Sequence, residues 1–416
     1  MDNFEGLDLE NYKKPTEGTA LKYVGGTLQV PDVPVIPFIE GDGVGRDISK
    51  AMKKVLDAAV QKAYGGKRKL AWWEIFAGQK SFEKFGEWLP QDTLNSIEYF
   101  HVAIKGPLGT PVGEGMRSLN VTMRSVLNLF ACVRPVKYME GVPSPLKKPE
   151  DVDLVIFREN SEDLYCGIEW QYGSKECSKI LDFLTSEMGV KLPCRESSIG
   201  IKPISSFASK RIMRTVLDYA LKNDRKSVTI VHKGNIMKYT EGDFRRYCYE
   251  VALEEYREHC VTEKEVLAGA SREGKILVND RIADNMFQQL ILQPGNYDLL
   301  VLPNLNGDYM SDAAAATVGG LGIAPGVNMN DTCALFEATH GTAPDLEEDR
   351  ANPTSIILSG AMLLQHIGWT EAAESITASI AKVIASGCAT GDIAKQMPGT
   401  KAVTCSDFAD ILCKNL

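Results

Sequence analysis

Short apolar runs of strand length, each ending in a polar cluster and separated by helical spacing, constrain this chain more than any other feature. Val102–Ile104, Leu154–Phe157, Val228–Val231 and Leu299–Leu302 have that form. Runs without polar alternation suit strands covered by helices on both faces, so the sequence predicts an α/β fold. A further strand is predicted at Val33–Ile39 after an irregular arm. From Asp47 to Tyr64 the apolar residues Ile48, Met52, Val55, Leu56, Ala59, Val60 and Ala63 recur at spacings of three and four, which predicts a helix. The segment 163–206 interrupts this rhythm with Cys, Gly and short β-prone pieces, and reads as an inserted subdomain or an intersubunit arm. Binding groups in such sheets gather at strand ends.

Between that first strand and helix lies Ile39-Glu40-Gly41-Asp42-Gly43-Val44-Gly45. A dinucleotide fingerprint would sit at such a place, but its third glycine is replaced by Arg46, and Glu40 and Asp42 make a poor cradle for pyrophosphate. The reading is a glycine-permitted turn into a helix, and no Rossmann site.

With 416 residues, 44% of them hydrophobic and 24% charged, the chain can build two or three compact lobes. A net charge of −9 disfavours nucleic acid and anionic membrane surfaces as partners. No apolar run approaches the ~20 residues of a membrane span. The opening MDNFEGLDLENYKK is acidic and lacks the apolar core of a secretory signal, and it is not an Arg/Ser-rich transit peptide. Ten cysteines without a C-x-x-C pair predict reduced thiols and a cytoplasmic setting. An acidic protein that holds an acidic metabolite needs local positive charge or a metal.

Local positive charge is available. Arg117 and Arg124 flank Ser118 and Asn120, Arg134 follows ten residues after Arg124, and Arg158 closes the run Leu154–Phe157. The guanidinium fork matches carboxylates and stays charged. Several such forks neutralise a polycarboxylate, with Ser118 and Asn120 as short neutral donors; unrelated surface salt bridges are the plain alternative. Asp308 and Asp312, four apart after the run Leu299–Leu302, share one face of a predicted helix. Their repulsion is relieved by a cation, and few hard oxygen ligands suit Mg²⁺ or Mn²⁺. Asp308 as a helix cap is the plain alternative. Asp284 is a candidate third ligand.

Taken in order, the blocks IEGDGVG, VAIKGPLGTPVGEGMRSLN, RENSEDLY, VHKGNIMKYTEG, NLNGDYMSD and EATHGTAP resemble the isocitrate dehydrogenase branch of the metal-dependent β-decarboxylating dehydrogenases, most of all the bacterial homodimeric type. The likeness runs from about Pro34 to the C-terminus. It implies the isocitrate/isopropylmalate dehydrogenase fold: a large cofactor-side domain (1–129 and 319–416), a small domain with the metal and dimer interface (130–162 and 207–318), and a clasp (163–206). It implies isocitrate binding by Ser118, Asn120, Arg124, Arg134 and Arg158, with Lys105 against the substrate. The implied metal ligands are Asp308 and Asp312, with Asp284 from the partner subunit. Tyr165 and Lys233, the latter also from the partner subunit, resemble the acid–base pair, so a homodimer with shared sites is implied.

The implied chemistry is oxidation of isocitrate and loss of CO₂ to give 2-oxoglutarate. Chelation of hydroxyl and carboxylate by the metal eases proton removal. Hydride passes to nicotinamide, and the enolate left by CO₂ takes a proton from Tyr165, whose pKa the Lys233 ammonium is expected to lower.

For the cofactor, the resemblance implies a site at Leu108, Glu337, Gly341 and Ala343, with His340 and Asn352 on the adenine side and Thr110 and Asn235 nearer the nicotinamide. Where the bacterial NADP enzymes carry a lysine and a tyrosine, this chain has Asp345 and Leu346; near the C-terminus Gly391 and Lys395 replace a tyrosine and an arginine. A carboxylate repels a 2′-phosphate and accepts hydrogen bonds from a ribose diol, so the expectation is NAD, with NADP the alternative. Homoisocitrate, tartrate or isopropylmalate dehydrogenase and a regulatory subunit are the other readings. Ser118 and Asn120 argue against an apolar isopropyl pocket. The serine is phosphorylated in enteric relatives, which makes a regulatory kinase acting on Ser118 a further implied partner.

Overall fold

The computed structural model describes residues 4–109 and 118–416; Thr110 and Arg117 lie outside the described residues. The chain divides into two compact units: 1–157, 287–300 and 310–416 form the first, and 158–286 and 301–309 the second. The clasp segment 163–206 falls in the second.

In the first unit six strands pair in the order Ala131–Lys137, Pro325–Met329, Ala334–Ala338, Val102–Lys105, Val35–Ile39 and Ala71–Glu74. The first two pairings are antiparallel and the other three parallel, giving a mixed sheet. Val35–Ile39 and Val102–Lys105 are buried throughout, as their apolar runs predicted. In the second unit Cys260–Thr262, Ile276–Ile282 and Ser227–His232 pair in parallel. The predicted strands Leu154–Phe157 and Leu299–Leu302 are present; the former is longer, Asp153–Glu159, so Arg158 lies within it. This is the expected α/β class, and no Rossmann-like arrangement.

The predicted helix spans Gly45–Tyr64 and buries Ile48, Met52, Val55, Leu56, Ala59 and Val60. Each larger aliphatic among them contributes ~1.5–3 kcal/mol on burial. Ala63, expected on the same face, is exposed because the helix ends there. Gly65 stops it in the left-handed region (φ 59°), its N–H bonded to the Gln61 carbonyl. No helix among the described residues is long and apolar enough to cross a membrane. All ten cysteines are free thiols.

The glycine turn is structural. Asp42 accepts from Gln79 N and Gly109 N at 2.8 Å, so its carboxylate is spent on the protein's own backbone. Val44 N donates to the Thr342 carbonyl at 3.0 Å, and a side chain on Gly43 (φ 55°) would collide with that carbonyl. A loop packed this closely on itself leaves no room for a pyrophosphate.

Candidate active site

The second unit assembles one part of the predicted set. The strand Asp153–Glu159 places Arg158 in the interior, 1% exposed. Burial of a guanidinium demands partners, and Arg158 has them: Nε donates to Asn304 Oδ1 at 2.8 Å, and Nη1 pairs with Asp308. Both partners come from the helix Asn304–Thr317. Asp308 is the fifth residue of that helix, too deep to cap it. Tyr165, in the short turn Asp163–Cys166, donates its hydroxyl to Asp308, and the Arg158 guanidinium lies 4.7 Å from the Tyr165 ring.

Lys233 does not join this group in one chain: its ammonium donates to Asp284. Burial and then the bond to Asp308 push the phenol above its ordinary value, and Arg158 opposes them only in part. Within one chain the Tyr165 hydroxyl is a proton donor to the Asp308 carboxylate. The Lys233 bond holds the Asp284 carboxyl below its usual range.

The first unit assembles the rest. Arg134, 8% exposed, donates through Nη1 to Ser311 Oγ at 2.8 Å and to Asp312 Oδ1 at 3.0 Å. Lys105 and Glu337 are almost fully buried and 3.2 Å apart, and Arg124 Nη2 meets the other Glu337 oxygen at 2.9 Å. Burial alone would raise the Glu337 pKa; Lys105, Arg124 and Arg134 outweigh it and hold the carboxyl well below the usual range. Burial pushes the Lys105 ammonium down, with Glu337 opposing. Ser118 precedes the helix Leu119–Val126, and its carbonyl accepts from Thr122 N at 2.9 Å. Asn120 Oδ1 and Arg124 Nε are buried with no hydrogen-bond partner among the described residues. The unmet guanidinium N–H suits an anionic oxygen, and the unmet amide oxygen suits a hydroxyl donor on the same polar ligand.

The residues proposed for the cofactor fall on several elements of both units. Leu108 is core, 8% exposed, and Asn235 is exposed in the second unit. His340 Nδ1 donates to the Gly341 carbonyl at 2.9 Å, and burial lowers its pKa. Its other nitrogen, Nε2, is therefore an acceptor, buried and without a partner among the described residues. Asn352, 8% exposed, donates to Asp392 at 2.9 Å. Ala343 turns the loop with φ 42°, and Asp345 and Leu346 stand exposed beyond it. An unmet acceptor on a buried imidazole suits a nucleobase amine, so this neighbourhood fits a dinucleotide.

A divalent ion fits Asp308 and Asp312 as hard oxygen donors one helical turn apart. Among the described residues no group of three or more His, Cys, Asp and Glu side chains is placed to hold a metal. Sequence reasoning passed over Asp163, Lys202 and Glu241, a buried charged triad of the second unit. Their signal was available: Asp163 lies in RENSEDLY and Glu241 in VHKGNIMKYTEG.

Comparison with known proteins follows the same lines. The sequence profile of the family described as Isocitrate/isopropylmalate dehydrogenase matches residues 35–412. An isocitrate dehydrogenase [NADP] of Archaeoglobus fulgidus is 53% identical over 99% of both chains. One from Staphylococcus aureus is 51% identical over 96% of this chain and all of its own. The crystal structure of isocitrate dehydrogenase from Methylococcus capsulatus superposes with a TM-score of 0.75 at 38% identity, covering 92% of this chain and 98% of that one. The expectation of NAD fails here, because relatives this similar over nearly the full length are named for NADP. The error was to weigh Asp345 as a fixed charge. It is exposed with no hydrogen bond or ion pair among the described residues, so water and salt screen it and its side chain is able to swing away. From Val35 to Leu412, the chain belongs to the isocitrate/isopropylmalate dehydrogenase family.

Proposed function

We propose that this chain is an NADP-dependent isocitrate dehydrogenase that converts isocitrate to 2-oxoglutarate and CO₂ as a homodimer. The observation that carries the reading is the pairing of each helix carboxylate with its own buried arginine, Asp308 with Arg158 and Asp312 with Arg134. A polycarboxylate substrate takes the arginines while a divalent ion takes the carboxylates, so each charge exchanges one partner for another.

In this reading Ser118, Asn120, Arg124, Arg134 and Arg158 bind and orient the substrate carboxylates. Asp308 and Asp312, with Asp284 of the partner subunit, hold Mg²⁺ or Mn²⁺. When bound, NADP would supply the hydride acceptor and a divalent ion held by these carboxylates would supply Lewis-acid polarisation. Tyr165, its proton held against Asp308, supplies a proton after decarboxylation, and Lys233 of the partner subunit recharges it. His340 and Asn352 seat the adenine end, with Lys395 as the cation for the 2′-phosphate.

Steady-state assays of the purified single chain with Mn²⁺ test this directly. The expected result is 2-oxoglutarate production with kcat/KM for NADP at least ~10-fold above that for NAD, about 1.4 kcal/mol of transition-state discrimination. Preference for isopropylmalate or homoisocitrate would overturn the substrate. Absence of activity in the single chain would return the regulatory-subunit reading.

A further inference from the structure

Three pieces of the second unit that carry the proposed chemistry share one buried cation. Tyr165 stands in a turn that begins at Asp163, a non-glycine residue at φ 73°. Lys233 follows the strand Ser227–His232, and Asp308 belongs to the helix Asn304–Thr317. The Lys202 ammonium, 13% exposed, lies 2.7 Å from Asp163 Oδ1 and 2.8 Å from Glu241 Oε1, both carboxylates being fully buried. Each carboxylate spends its other oxygen on those segments. Asp163 Oδ2 accepts from Leu305 N at 3.0 Å, in the first turn of the Asp308 helix. Glu241 Oε2 accepts from Lys233 N, and from Asn306 Nδ2 at 2.8 Å.

Two fully buried carboxylates this close together need a cation between them. A left-handed aspartate persists only where its surroundings over-determine it. Lys202 meets both needs. We infer that Lys202 is a positioning residue common to the Tyr165 turn and the Lys233 loop, so that loss of its charge displaces both segments together. This rests on the proposed dimeric site, in which Tyr165 of one protomer works with Lys233 of the partner subunit. One Lys202 then serves two active sites: that of its own chain through Asp163, and that of the other chain through Glu241. Tyr165 and Lys233 themselves serve one site each.

Mixed dimers, purified through two different tags, separate these cases. A dimer of a Tyr165→Phe chain and a Lys233→Met chain carries both lesions in one site and none in the other, so about half the wild-type kcat is expected from two-fold symmetry. Loss of that activity overturns the shared-site reading, and the Lys202 inference with it. Once the control holds, a wild-type/Lys202→Met dimer is expected roughly tenfold or more below wild type, because both sites lose alignment. A value of half or above overturns the inference. Lys202→Arg, which keeps the charge, is expected to return the mixed dimer above half; if it does no better than Lys202→Met, the charge is not what positions the segments and the inference fails. Should Lys202→Met not assemble, Lys202→Gln enters the same assay with the same thresholds.

Discussion

Arg158 lies flat against Gly307: a Cβ on that glycine would stand 2.6 Å from both Cβ and Cγ of the arginine. Glycine as the fourth residue of the helix Asn304–Thr317 costs helix stability, up to about 1 kcal/mol relative to alanine. What it permits is the close approach that brings the buried guanidinium to Asp308 and Asn304.

Gly307→Ala is therefore expected to separate stability from function. Alanine favours the helix but pushes Arg158 out of its seat, so unfolding changes little while kcat/KM for isocitrate falls by roughly 10²-fold. Thermal unfolding beside steady-state kinetics checks it. A variant with wild-type kinetics would show that Arg158 tolerates displacement and does not position substrate.

The Glu337 carboxylate holds two buried cations, and its removal leaves them without their anion. Glu337→Gln is expected to cost about 3–5 kcal/mol of stability near neutral pH. The pH dependence has a definite sign. The folded-state pKa is depressed, so the stabilisation is full above the unfolded carboxylate value near ~4.3 and is lost as pH falls below it. Urea unfolding of wild type and variant between pH 3 and 8 should show curves that converge only at the acid end. A constant difference down to pH 3 would mean that packing, and not the charge, is what Glu337 supplies.

The legibility of this chain varied with the range of the interaction. Apolar runs such as Leu299–Leu302 and the heptad-like spacing after Asp47 report burial directly, so those elements stand where the sequence placed them. The Asp308/Asp312 pair was legible because four residues is a helical distance. Partners distant in sequence were not: nothing local to Lys202 announces Asp163 and Glu241, 39 residues before and after it. Nor does sequence report exposure: Asp345 stands in solvent, where water and salt screen its charge.

Ser118 stands at the N-cap of the helix Leu119–Val126 without a side-chain capping bond. Aspartate is a favourable residue there, both as a cap and toward the helix dipole, so Ser118→Asp is expected to leave folding intact. The same charge next to the proposed substrate arginines repels a carboxylate ligand. The expected outcome is a ~10²–10³-fold loss in kcat/KM for isocitrate with an unchanged unfolding midpoint. Retained activity would remove the electrostatic basis for control by phosphorylation at this residue.

Glu162 carries a pKa pushed up to about 7, chiefly by burial, against bonds from Ser205 and with Glu159 and Asp163 adding repulsion. Its carboxylate accepts from Ser205 N at 2.8 Å, a bond that an amide oxygen retains. Because the folded pKa lies above the unfolded value near ~4.3, the folded state binds the extra proton, and stability declines as pH rises from there to about 7. Glu162→Gln removes the ionisation without removing the acceptor. The variant is thus expected to match wild type at pH 4 and to melt about 1–2 °C higher at pH 8, a shift on the order of 1 kcal/mol for a chain of this size. Differential scanning calorimetry at the two pH values decides it. An equal offset at both would assign the effect to packing of the amide, and a lower midpoint at pH 8 would mean that the ionised carboxylate is stabilised by its neighbours instead of strained by them.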